Sequence, residues 1–400
     1  MKSLSRITHK LVGQPMFKLM ARARTMDHAG RKIIHYEIGD PNFNSPQAAK
    51  DALKEALDQN LTHYTESPGL LSFRQAIRHY IETHYGFKPD LEQVMACPTN
   101  ALIDFVCRCL VNPGEEIILP DPGFPSYYSA INYNGFIPVG VKLQETNEFR
   151  LHPKDVEKKI TDKTRLIIIN SSQNPTGAVM TASETEQIYQ IAENYDLYLL
   201  SDEVYSRIIY DVTFHSPSLF DRCRKRTILI KSLSKVYAMT GWRLGYAVAP
   251  PDLIEKLYLL LQTILSCLPA FTQIGGSAAL NSSPEYFQNN MKILRQRRDT
   301  LIPALNALKG MSCIMPQGAF YAFPNIRATG LSSTEYCQRL LEEQGVCALP
   351  GNCFGSQGEG YIRLSYGSVT LDQIHQSLQK MARFHDSLKI PSTPSKLPGV

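Results

Sequence analysis

Short apolar runs alternate with amphipathic stretches along most of this chain. Leu166-Ile167-Ile168-Ile169-Asn170, Leu197 to Asp202, Thr227 to Lys231 and Leu244 to Ala249 have the length and apolar content of buried strands, as does Glu116 to Leu119 before Pro120. Between them, Ala101 to Leu110, Ser183 to Tyr195 and Pro251 to Cys267 repeat apolar positions at helical spacing. Strands separated by helices are the signature of βαβ units, so the expected fold class is α/β with a mostly parallel central sheet. The pattern changes near Pro284. A charged helix over Glu285 to Leu308 leads to a strand at Gly318 to Pro324, a helix at Thr334 to Gln344, a strand at Tyr361 to Tyr366 and a helix at Leu371 to His385. The expected division is a large domain over 46–285 and a smaller α+β domain built from 1–45 and 286–390. The Pro/Ser-rich 391–400 is read as a disordered tail.

Composition narrows the function classes. The chain has 400 residues, 43% hydrophobic and 20% charged, enough for one large and one small core. A net charge of +5 over that length, with no sustained Lys/Arg block, argues against nucleic acid as a partner. Arg295, Arg297 and Arg298 read as a solvated helix face. The nine cysteines include no Cys-x-x-Cys pair, so no metal site is expected, and scattered thiols suit a reducing compartment. No apolar run is long enough to cross a bilayer, and the first ten residues lack a signal core, which makes the cytoplasm the expected location.

The chemistry concentrates at strand ends, where open parallel sheets bind ligands. Asn174-Pro175-Thr176-Gly177 follows one strand, Asp202 and Tyr205 end the next, and Ser232 and Lys235 end a third. Ser232-Leu233-Ser234-Lys235 is ambiguous alone, since Ser-x-x-Lys also occurs in serine-acylating enzymes. Each of these stretches also has an ordinary structural explanation: a turn, a helix cap, a surface ion pair. Together they suit a pyridoxal cofactor. Lys235 supplies an amine for an imine, Asp202 a carboxylate for the ring nitrogen, and Asn174 and Tyr205 donors for the phenolate oxygen. Phe124 offers a ring to stack on the cofactor face. Ser232 and Arg243 suit a phosphate, and Arg363 a substrate α-carboxylate.

These residues resemble the class I/II aminotransferases, pyridoxal-phosphate enzymes of fold type I. The matching pieces run from Gly39-Asp40-Pro41-Asn42-Phe43 through Tyr64-Thr65, Asn174 to Gly177, Ser201 to Tyr205, Ser232 to Lys235 and Gly241 to Tyr246 to Pro350 to Gly355 and Arg363-Leu364-Ser365. The resemblance implies pyridoxal 5'-phosphate held as an imine on Lys235, which then shuttles a proton at the substrate Cα. It implies that Thr99 and Asn100 help Ser232 and Arg243 hold the phosphate, and that Gly39, Phe124, Asn174 and Arg363 line the substrate site. It also implies a homodimer, with Tyr64 reaching the neighbouring subunit's phosphate. The partners would be an L-amino acid and a 2-oxo acid in ping-pong transamination, aspartate and 2-oxoglutarate first, aromatic amino acids or alanine next. β- or γ-elimination or an oxidative reaction on the same scaffold is the alternative. A ligand-sensing domain would need a DNA-binding module, and the 38 residues before Gly39 show no helix-turn-helix pattern. One stretch departs from the family pattern. In Ala96-Cys97-Pro98-Thr99-Asn100, Cys97 replaces a glycine and Pro98 lacks an N–H, so this corner is expected to offer the phosphate fewer backbone donors.

Overall fold

The computed structural model describes residues 3–4, 8 and 15–388. The strands are β1 Ile34–His35, β2 Val94–Ala96, β3 Glu116–Asp121, β4 Ile137–Lys142, β5 Thr164–Asn170, β6 Tyr198–Asp202, β7 Thr227–Ser232, β8 Gly245–Val248, β9 Tyr321–Ala322, β10 Val346–Cys347, β11 Leu349–Pro350 and β12 Ile362–Ser365. Seven of them form one sheet in the order β2-β8-β7-β6-β5-β3-β4. β4, β3, β5, β6 and β7 run parallel, and β8 pairs antiparallel with both β7 and β2. β5 is buried at every position from Leu166 to Asn170, because helices cover both faces of the sheet. The expected α/β class is the observed one.

Most expected elements are present with ends shifted by a residue or two. Helix Ala182–Asn194 starts where expected because Thr181 and Glu184 form a reciprocal capping box, and Thr370 with Gln373 does the same for Leu371–Ser387. Edge strand β4, Ile-Pro-Val-Gly-Val-Lys, escaped the sequence reading because Pro138 and Gly140 are strand-breaking residues that an edge tolerates. The apolar stretch Gly318 to Pro324 is buried; it pairs over β9 within the small antiparallel sheet β11-β12-β9, and Gly318 makes an isolated antiparallel bridge to Ile209. The expected tail at 391–400 lies outside the described residues.

One expectation is wrong. Arg297 and Arg298 are not on a solvated face but are 5% and 4% exposed. Arg297 donates to the Gly367 carbonyl at 2.9 Å and to Asn42 Oδ1 at 2.9 Å, and Arg298 donates to Asp211 Oδ2 at 2.8 Å. Their guanidinium groups pin helix Pro284–Asn306 to the segments around it. Charge alone could not show this, because buried arginines are compensated by partners distant in sequence. Arg295, also paired with Asp211, is exposed as expected.

Helix α1, Pro15–His28, also escaped the sequence reading. Leu19, Ala23 and Met26 pack on Ile33, Leu341 and Cys347. Phe17, Met20 and Arg24, spaced i, i+3 and i+7, turn the other face to the cavity described next.

Candidate active site

A cavity of about 540 Å³ opens at the carboxyl ends of β5, β6 and β7. Asn170 and Asp202 are paired in register at the ends of β5 and β6, and Ser232 closes β7 one strand further on. The chain brings Gly39, Thr99, Asn100, Phe124, Asn174, Asp202, Tyr205, Ser232, Lys235, Arg243 and Arg363 to its walls. Tyr64 is not among them. It is 88% exposed on the outer surface of its own chain.

Lys235 lies in the four-residue helix Leu233–Val236, which Ser232 caps by accepting from the Ser234 amide at 3.1 Å. Its ammonium donates to the Gly39 carbonyl. Burial lowers its pKa to about 8; Arg363 and Arg243 act the same way, and Asp40 opposes them. The lowered pKa leaves far more of this amine free near neutral pH than in an ordinary lysine, as a nucleophile requires. Gly39 must lack a side chain, since a Cβ there would stand 2.0 Å from the Tyr321 hydroxyl.

Asp202 is 4% exposed. Tyr127 donates to its Oδ2 at 2.6 Å and the Val204 amide to its Oδ1 at 3.2 Å. Burial raises its pKa to about 6, against those two bonds. The Asn170 side chain braces the strand end by donating to the Asp202 carbonyl at 2.9 Å. Tyr205 shares a 2.6 Å hydrogen bond with Tyr321.

Arg363, on β12, is 1% exposed. It donates through Nη1 to Asn174 Oδ1 at 3.1 Å and through Nη2 to the Glu37 carbonyl at 2.7 Å, while its buried Nε has no partner among the described residues. Tyr321 and Phe354 flank the guanidinium at 4.5 and 4.9 Å. A buried cation with an unmet donor is a built receptor for an anion.

The fourth corner is the start of helix Thr99–Leu110. Pro98 is its N-cap, a position whose own N–H the helix does not use, so the missing donor costs the helix nothing. The Thr99 hydroxyl donates to the Lys231 carbonyl at 3.0 Å, so what Thr99 and Asn100 offer at the cavity wall is the backbone amides of a first turn. Gly245 makes this packing possible: a Cβ there would meet Thr99 Oγ1 at 2.5 Å and the Lys231 carbonyl at 2.6 Å. Ser232 and Arg243 complete the corner, with Arg243 Nη1 donating to the Thr240 carbonyl at 2.7 Å. The fewer-donor expectation is met for Pro98 itself, but a helix N-terminus remains.

Several residues of the site and its surroundings escaped the sequence reading. Tyr321 carried no signal beyond an apolar run. Tyr127 and Asp40 lay in stretches noted for other reasons. Phe17, Met20 and Arg24 follow a helical spacing that was visible but unread.

The fold and the site together suit an enzyme that holds a cofactor. Residues 31–381 match the family model of aminotransferase class I and II. The chain is 37% identical to an aspartate aminotransferase of Pyrococcus horikoshii over 88% of this chain and 89% of that protein. It is 37% identical to aromatic-amino-acid aminotransferase 2 of Thermococcus litoralis over 88% and 91%. The solved alanine aminotransferase of Pyrococcus furiosus superimposes with a TM-score of 0.90 at 29% identity, covering 96% of this chain and all of that one. The chain belongs to the class I/II aminotransferases. It is therefore a transferase of the pyridoxal-phosphate-dependent kind. Among the described residues no helix is long and apolar enough to cross a membrane.

Proposed function

We propose that this enzyme moves the α-amino group of an acidic L-amino acid, aspartate first, to 2-oxoglutarate by a ping-pong mechanism. The observation that carries the reading is the meeting of a buried amine, Lys235, a buried carboxylate, Asp202, and a half-satisfied buried guanidinium, Arg363, in one cavity. The donor set fits pyridoxal phosphate: amides and a guanidinium for its phosphate, a carboxylate for its ring nitrogen, an amine for its aldehyde. When bound, the cofactor supplies an aldehyde that captures amines and a ring that draws electrons from the substrate Cα.

The chain's own groups do the rest. Asp202 holds a proton on the ring nitrogen. Asn174, whose Oδ1 is taken by Arg363, has its Nδ2 left for the phenolate oxygen, and the Tyr205 hydroxyl serves the same atom. Phe124 covers a ring face. The Thr99 and Asn100 amides, Ser232 and Arg243 take the phosphate. Lys235, once displaced by substrate, moves the proton at Cα as general base and acid. Arg363 orients the substrate through its α-carboxylate, beside the Gly39 backbone.

Substrate choice follows from charge. Four cations, Arg24, Lys235, Arg243 and Arg363, line the cavity against two carboxylates, Asp40 and Asp202. Three of the cations have duties above. Arg24, on α1, has no partner among the described residues and suits a distal carboxylate. Dimer formation is supported at another surface. The segment carrying Tyr64 is bound to residues 266–268 through Thr65 and Ser67, and Leu61, Tyr64, Ile264 and Leu265 are all exposed beside that seam. We take Tyr64 to reach the partner's phosphate. The strands of the large sheet all fall within 46–285, which supports that span as the cofactor domain. Nine free cysteines suit a cytoplasmic location.

The test is a donor screen with 2-oxoglutarate as acceptor. Aspartate is expected to give oxaloacetate with the highest kcat/KM. Arg24→Leu is expected to lower that value about tenfold while leaving alanine within twofold, the size of one partly exposed charge-assisted contact. Alanine or an aromatic amino acid outrunning aspartate, or an unselective Arg24→Leu, would refute the acidic assignment. Release of ammonia without an acceptor would instead favour elimination.

A further inference from the structure

We propose that His35 is a positioning residue for transamination: seated between Asp27 and Glu37, it fastens α1 over the cavity and steadies the backbone that holds Arg363 and Lys235. The proposal rests on reading Arg363 as the α-carboxylate ligand.

His35 Nε2 lies 2.7 Å from Asp27 Oδ2, and its Nδ1 lies 2.8 Å from Glu37 Oε1. A neutral imidazole has one N–H, so only the imidazolium donates to both carboxylates. Asp27 sits in the last turn of α1 and is tied further by accepting from the Ile33 amide at 2.9 Å. Glu37 is 1% exposed, and among the described residues its second oxygen has no hydrogen-bond partner, so His35 is the cation hydrogen-bonded to its carboxylate.

The consequence reaches the site through one residue. Glu37 gives its side chain to His35 and its carbonyl to Arg363 Nη2, and two residues later the Gly39 carbonyl accepts from Lys235. On the other side, α1 carries Phe17, Met20 and Arg24 into the cavity wall. His35 thus joins the cover of the cavity to the segment after β1 that holds its arginine.

The charged groups that face His35 are Asp27 from α1 and Glu37 from the segment that follows β1. His28 stands near Asp27, and the Cys347 thiol on β10 and Arg363 on β12 stand near Glu37. The hydrogen bond to Glu37, with that to Asp27, raises the His35 pKa to about 9 against the opposing effect of burial. Because the pKa is raised, the fastening is complete at neutral pH and is lost as pH rises through about 9.

The test compares holoenzyme carrying His35→Gln with wild type in two ways. First, hydrogen exchange of the α1 amides is expected to be several-fold faster in the variant at pH 7.5. Second, KM for both the amino donor and the 2-oxo acid is expected to rise about fivefold with kcat within twofold, the loss of one charge-assisted pair at a half-exposed site. The variant-to-wild-type KM ratio is expected to fall toward one between pH 8 and 10, as wild-type His35 loses its proton. Titration of Lys235 is common to both proteins and cancels in that ratio. Unchanged α1 exchange overturns the fastening itself; an unchanged KM, or a ratio constant with pH, overturns its coupling to the site. Asp27→Asn, which cuts the same chain at its exposed end, is expected to act in the same direction and serves if His35→Gln does not fold. An Arg363→Lys enzyme with wild-type KM would refute the carboxylate reading and the coupling with it, leaving α1 exchange to decide the fastening alone.

Discussion

The Tyr127 hydroxyl donates to Asp202 Oδ2 at 2.6 Å, inside the protein and across 75 residues of sequence. The bond helps keep ionised a carboxylate that burial pushes toward its acid form. Tyr127→Phe is therefore expected to raise the Asp202 pKa above its value of about 6. Affinity of the cofactor-free protein for pyridoxal phosphate is expected to fall about tenfold at pH 6 and much less at pH 8, as one hydrogen bond to a charged group is lost. The variant-to-wild-type ratio of Kd, measured by fluorescence at each pH, checks this; a ratio constant with pH would contradict it.

Asp202 is kept at a cost to the empty protein. Its raised pKa means that ionisation is penalised in the folded state, with no penalty below about pH 4 and the full penalty above about 6. Asp202→Asn is expected to stabilise the cofactor-free protein at pH 7.5 by up to about 3 kcal/mol, and by nothing at pH 4. The same change is expected to abolish turnover. Urea unfolding of the cofactor-free proteins at the two pH values reads the difference.

Gly245→Ala tests the phosphate corner without touching a proposed ligand atom. A methyl group 2.5 Å from Thr99 Oγ1 and 2.6 Å from the Lys231 carbonyl must displace the start of helix Thr99–Leu110. The expected cost is about 1–3 kcal/mol of stability. Cofactor affinity is expected to fall more than tenfold, read by equilibrium dialysis, as amide donors move off the phosphate.

Arg363→Lys keeps the charge and loses the fork. A lysine ammonium cannot serve Asn174 Oδ1, the Glu37 carbonyl and a bound carboxylate as a guanidinium does. KM for donor and acceptor is expected to rise together, about 10–100-fold, in steady-state kinetics.

The parallel sheet was legible because β5, β6 and β7 are near-continuous apolar runs, and the polar residues that end them announced the crevice. Asp202, Lys235 and Asn174 could be read because they stand on or just after strand ends, where topology forces them together. Tyr321 and Glu37 could not. Tyr321 acts across a sheet built from β9, β11 and β12, and Glu37 acts at the site through its main chain, which no side-chain pattern reveals. The buried Arg297 and Arg298 were misread for a related reason, since apart from the neighbouring Asp299 their partners are carbonyls, Asn42 and Asp211, supplied by distant segments. Helix α1 was unread because its apolar positions serve two faces, one packed on β10 and its neighbours and one turned to the cavity.

Lys235 anchors the account. Its amine, lowered to about 8, is expected to capture pyridoxal phosphate in cofactor-free protein at a rate that rises with pH through that value. Lys235→Ala is expected to fold, to bind the cofactor through the phosphate corner without a covalent link, and to lose transamination by about 10⁴-fold or more.

The most direct measurement is a single half-reaction. Holoenzyme is mixed with excess aspartate and no acceptor, and the absorbance of the lysine-bound cofactor is followed beside the oxaloacetate released. The account predicts complete loss of that absorbance, one oxaloacetate per Lys235, no ammonia, and full recovery of the absorbance on removing aspartate and adding 2-oxoglutarate. Unchanged absorbance with every amino acid tried, or product formed at the wild-type rate by Lys235→Ala, would contradict it.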